Sequence, residues 1–171
     1  MATLLAIAGC GGSRAVPIKA PEYSDHSVRT LTIAPSQDLF EKDSNKLGDA
    51  IGVELAKLGY SVVDENQATE LLAKYDISPV HIFDPSALAA LQKEGIDAVL
   101  WVSSATSSIG GPDMRHVTVR LTSTSTSKKI GEIDWHNAWG GMPGSPADYT
   151  MRKGVTAAAR EIAEALAKLL G

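Results

Sequence analysis

The sequence predicts an α/β domain: a mixed sheet of about five strands flanked by about four helices, in the order β-α-β-α-α-β-β-β-α. Three observations carry this expectation. Apolar stripes at helical spacing alternate with short β-branched runs, one run (Ala98 to Val102) is continuously apolar, and two alternating stretches meet at a Ser/Thr-rich turn.

Taken in order, VRTLTIAP (residues 28–35) reads as a strand with Leu31 and Ile33 inward, ended by Pro35. SNKLGDAIGVELAKLGY places Leu47, Ile51, Leu55 and Leu58 on one helical face, with Ser44 as N-cap and Gly59 as the terminating glycine. YSVVD is a short second strand. NQATELLAKYD gives a helix with Ala68, Leu71, Leu72 and Tyr75 facing in. DPSALAALQKEG gives another, with Asp84 as N-cap, Pro85 at the first helical position and Gly95 closing it.

The run from Ala98 to Val102 leaves no wet face, so this strand is expected to be covered on both sides, with Trp101 in the core. MRHVTVRLTST and KKIGEIDWHNAW alternate around STSTSK and form a hairpin centred near residue 126. That centre sets His116 opposite His136, Thr118 opposite Asp134 and Arg120 opposite Glu132, all on one face. Trp135 shares the Ile133 face and is expected in the core. A last helix starts at Ser145, Pro146 and Asp148. Its stripe is Met151, Val155, Ala158, Ile162, Ala165, Leu166 and Leu169.

The N-terminal LLAIAGCGGS is the first test of function. A dinucleotide loop needs a third glycine at position 14, which is Arg14, and then a helix, which Pro17 and Pro21 forbid. IAGC instead has the form of a bacterial lipobox. An apolar residue and two small ones precede Cys10, the residue that would carry the lipid after cleavage. Residues 1–9 are then a signal-peptide remnant, short and without a preceding cation, which suggests a start further upstream. Residues 10–26 are the lipidated cysteine and its Gly/Pro/Ser-rich tether, and residues 27–171 are the domain. Sixteen tether residues reach at most about 55 Å.

Composition narrows the rest. The 171 residues carry a net charge of −4, which argues against an electrostatic nucleic-acid binder. Cys10 is the only cysteine, so no disulfide and no cysteine-based metal site is available. His116, His136 and Asp134 offer donors of the kind zinc takes, but a register change of two residues would break the pair and spacing fixes no third ligand, so a solvated polar sheet face with one ion pair is the favoured reading. Ser145 lacks a nucleophile-elbow pattern and is accounted for as a helix cap. No nucleophile–base–orienter set emerges, so no enzyme activity and no cofactor are expected. Trp139, Met142 and Pro143 border a glycine-rich loop and are expected to anchor a partner, since Trp and Met are enriched in interfaces.

Three segments carry a resemblance. Gly59, Val62, Val63 and Asp64, then Gly95 to Val99, then Lys128 to Ile133 with Trp135 resemble the CsgG-like envelope lipoproteins, whose fold is similar to the N-terminal domain of TolB. The resemblance covers residues 28–170. The family includes the curli-secretion pore, activator lipoproteins for penicillin-binding proteins and small lipoproteins. This chain lacks the long insertions that build the pore's barrel and the long tether of the activators. The resemblance implies a non-catalytic, lipid-anchored module on the periplasmic side of a bacterial membrane, the outer one by preference. Its partner would be another envelope protein. Self-assembly into a ring is the alternative, and a metal-binding protein or metal-dependent hydrolase the third reading.

Overall fold

A computed structural model describes residues 12–21, 28–35, 42–107, 113–138, 140, 142 and 145–171. The strands are β1 (Arg14–Lys19), β2 (Thr30–Ile33), β3 (Ser61–Val63), β4 (Ala98–Ser107), β5 (Asp113–Ser123) and β6 (Lys129–His136). The helices are α1 (Lys42–Lys57), α2 (Glu65–Ala73), α3 (Pro85–Lys93), α4 (Pro146–Met151) and α5 (Val155–Leu170), with a 3-10 turn at Pro79–His81. The strands form one mixed sheet in the order β1-β6-β5-β4-β2-β3. β2 pairs in parallel with β3 and β4, and the β4-β5-β6-β1 pairs are antiparallel. The mixed α/β architecture expected from the sequence is present.

Side-chain alternation assigns the two faces. Leu31, Ile33, Leu100, Val102, Val117, Val119, Leu121, Ile133 and Trp135 point to one side, where they pack with Leu47, Ile51 and Leu55 of α1 and with Ala158, Ile162 and Leu166 of α5. The other side is covered only in part. There Val99 packs with Leu72 of α2, Ile82, and Ala87, Leu88 and Leu91 of α3. Among the described residues the sheet therefore has helices on both faces at its β3-β2-β4 end and on one face at its β5-β6-β1 end.

Local chemistry sets the element ends. Asp64 and Gln67 form a reciprocal capping box: the Asp64 carboxylate accepts from Gln67 N (2.9 Å) and the Gln67 side chain from Asp64 N (3.4 Å). Gly59 and Gly95 hold φ of +94° and +81°, the left-handed conformation that lets the chain turn out of α1 and α3. Asp97 accepts from Arg29 N and Thr30 N, both at 2.8 Å, and so pins the start of β2 to β4.

Several expectations are corrected. Residues 14–19, read as tether, form the edge strand β1, paired with β6 from Arg14↔His136 to Lys19↔Gly131. An edge strand tolerates Pro17, whose missing N–H costs no ladder bond on the outer side. α1 already includes residue 42, so Ser44 lies inside the helix instead of capping it. Leu58 is 47% exposed because the chain leaves the helix after Lys57. The last helix is two: α4 ends at Met151, and α5 begins after Gly154, leaving Val155 exposed at the start of the new helix. Trp101, expected in the core, is half-buried, because α3 does not extend over its end of β4.

Candidate functional site

The uncovered face of the antiparallel half is a grid of three rungs across β4, β5, β6 and β1. One rung reads Trp101, Arg120, Glu132, Ile18, and the next Ser103, Thr118, Asp134, Val16. The third is Ala105, His116, His136, Arg14. The hairpin register expected from its centre is the one observed, His116↔His136, Thr118↔Asp134 and Arg120↔Glu132, with a shift between Leu121 and Thr122. Rungs on one face repeat every second residue, about 6.7 Å apart, so charged groups on neighbouring rungs can meet.

At one end of the grid, Asp134 lies between the two histidines. Its Oδ1 contacts His116 Nε2, and its Oδ2 is 3.1 Å from His136 Nε2. The imidazole rings stack at 4.6 Å between centroids, 24° from parallel. Burial raises the Asp134 pKa, but hydrogen bonds and charge from His116, then His136, outweigh it and hold the carboxyl below its ordinary range. One ligand atom from each of the three residues falls within 4.8 Å of the others. The set offers two imidazole nitrogens and a carboxylate oxygen to a divalent cation. It contains no hydroxyl or thiol nucleophile.

At the other end, Arg120 Nε donates to Glu132 Oε2 (2.8 Å), while its guanidinium lies over the Trp101 ring, 5.2 Å from the centroid. Phe83, Trp101, Arg120 and Thr122 line a cleft where the helical cover stops. This cleft was missed from sequence. The signal was the β4–β5 register, which pairs Trp101 with Arg120.

A third cluster fastens the edge. Glu161 of α5 accepts from Trp135 Nε1 (2.8 Å) and Ser13 Oγ (2.9 Å), and forms an ion pair with Lys153. Burial raises the Glu161 pKa, but hydrogen bonds from Lys153, Trp135 and Ser13 together with the Lys153 charge bring it below the usual range. Trp135 is fully buried, as expected.

Of the residues expected to anchor a partner, Met142 is 80% exposed, and Trp139 and Pro143 lie outside the described residues, as does Cys10. Ser145 caps α4, accepting from Asp148 N (3.2 Å) and donating to Gly140 O (3.3 Å), which is the helix-cap role read from the sequence. Among the described residues no helix is long and apolar enough to cross a membrane.

No protein-family model matches the chain, and no curated protein matches it. Solved structures do. The PelC dodecamer from Paraburkholderia phytofirmans matches at a TM-score of 0.52 and 14% identity, over 93% of this chain and 98% of that one. That likeness shows the fold. The lipoprotein GNA1162 from Neisseria meningitidis aligns at 0.46 and 17%, over 82% of this chain and 99% of its own. TolB from Acinetobacter baumannii aligns at 0.47 and 15%, over 92% of this chain and 31% of TolB. The PelC likeness spans nearly the whole of both chains and is not confined to a shared fragment.

Proposed function

We propose that this chain is a non-catalytic interaction module of the bacterial envelope, tethered by lipid on Cys10 and working through a protein partner on the periplasmic side. The observation that carries the reading is the placement of β1. With Arg14 already in the sheet, only residues 11–13 separate Cys10 from the fold. That length of chain reaches at most about 14 Å, so a lipid on Cys10 would hold the domain against the membrane surface. The exposed Met142, close in sequence to Trp139 and Pro143, marks the segment we assign to the partner. The IAGC motif and the sequence resemblance to CsgG-like envelope lipoproteins support the same setting.

The test is fractionation of cells producing the chain with its native leader. The wild type is expected in the membrane fraction and Cys10→Ser outside it. Unchanged partitioning of the variant would remove the anchor. A second reading, assembly with copies of itself, is favoured by the fold likeness to a protein solved as a dodecamer. Mass measurement of the purified domain across concentration separates the two, since a strict monomer at high concentration excludes self-assembly.

A further inference from the structure

We propose that His116, His136 and Asp134 form a binding site for a divalent transition-metal ion, zinc being the ion whose ligand preferences they fit. The three side chains come from two strands locked in register by the β5–β6 ladder, so the site is built on rigid elements and not on loops. His116 and His136 are direct cross-strand partners, and Asp134 sits two residues before His136 on the same face. A tetrahedral zinc ion with bonds of about 2.0–2.1 Å holds its ligand atoms about 3.4 Å apart. The Asp134 Oδ2 to His136 Nε2 separation of 3.1 Å is already close to such an edge, and all three ligand atoms lie within 4.8 Å of one another. The stacked imidazoles must splay for their lone pairs to converge. His136, 57% exposed, is free to make that turn, while the half-buried His116 stays as the fixed ligand.

The chemistry of the donors agrees. Each histidine nitrogen directed at Asp134 is an Nε2, so two imidazole nitrogens and a carboxylate oxygen converge on one place. Among the described residues no helix covers this face, which leaves a fourth position for water or for a group from another molecule, as in zinc sites with three protein ligands. The proposal is independent of lipid anchoring and of the partner surface around Met142.

The test uses the domain purified without a histidine tag and stripped with chelator. It is dialysed against micromolar Zn2+, and bound metal is measured by mass spectrometry. The expected result is one Zn2+ per chain. His116→Ala and His136→Ala should each weaken binding by more than the roughly 10–100-fold that loss of an outer hydrogen-bonding partner costs. Asp134→Asn should weaken it as well, and Thr118→Val, on the same face, should leave it unchanged. Circular dichroism shows whether each variant is folded. Should His116→Ala not fold, His136→Ala at its exposed position still decides. Absence of stoichiometric zinc, or zinc that survives His136→Ala, overturns the site.

Discussion

Strand β4 divides the sheet into two regions that bury themselves differently. On its β2–β3 side, α1 covers one face and α2 and α3 the other, and Val99 and Leu100, adjacent in sequence and on opposite faces, are both fully buried. On its β5–β6–β1 side, α5 and α1 are the helices that pack among the described residues, and the second face shows His116, Thr118, Arg120, Glu132, Asp134 and His136. The doubly covered half is bound by apolar packing on both faces. The singly covered half carries polar side chains on its second face because its strands need only one hydrophobic face to stay in the sheet.

The largest effect is expected from Val99→Asp set against Thr118→Val, two positions on the same face of the sheet in different regions. An aspartate at position 99 would sit in a fully apolar cluster without a partner, at a cost of more than about 3 kcal/mol. That is a large share of a domain stability of about 5–15 kcal/mol. Thr118→Val should change stability by less than about 0.5 kcal/mol. Urea unfolding of both variants checks this. Similar losses at the two sites would mean that the open half is covered in solution.

Next is Gly131→Ala, which tests the docking of β1. A Cβ at Gly131 would lie 2.8 Å from the Ile18 carbonyl oxygen and 2.6 Å from Leu169 Cδ1, so β1 and α5 cannot both keep their places. Overpacking of this kind costs about 1–3 kcal/mol. Amide exchange should quicken selectively in residues 14–19. Exchange that stays slow there would show that β1 is not held by this close approach.

The legibility of the two regions from sequence follows their physics. The run from Ala98 to Val102 announced a doubly covered strand because burial on both faces leaves no polar position. The hairpin announced its own register, because a local turn fixes which residues oppose each other. β1 was illegible for the opposite reason: its residues are mostly exposed, Pro17 interrupts it, and its partner lies more than a hundred residues away. Trp101 was misread because apolar character cannot say where a covering helix stops, and here Arg120 takes over from α3. The His116–Asp134–His136 set was visible as a cross-strand pair, but its shared carboxylate contacts come from side-chain placement.

Glu161 joins the open region to α5 and gives the pH-dependent prediction. Its carboxyl is held below the ordinary range in the folded chain. A folded value below the unfolded one adds stability that is complete above the ordinary carboxylate range and lost as the pH falls through the folded value. Glu161→Gln keeps an acceptor for Trp135 but removes the ion pair with Lys153. A loss of about 1 kcal/mol is expected at neutral pH, discounted for partial exposure. Urea midpoints of the two proteins should converge in acid. A gap that persists there would mean that Glu161 acts through packing and not through charge.

The smallest effect is expected at His136. Its side chain is 57% exposed and its bond to Asp134 leaves the second carboxylate oxygen still paired with His116, so in metal-free protein His136→Gln should shift stability by less than about 0.5 kcal/mol. One donor to Asp134 is weakened, so that carboxyl should titrate upward toward its ordinary range, which carbon-detected NMR of the side chain can follow. The combination is what separates a site from a scaffold. If His136→Gln costs as much as Gly131→Ala, the cluster is part of what holds β6 to β5, and the open face is structural after all. If it costs almost nothing, the stacked imidazoles and their shared carboxylate contribute little to the fold, and zinc binding by the same variant then decides whether they form a site.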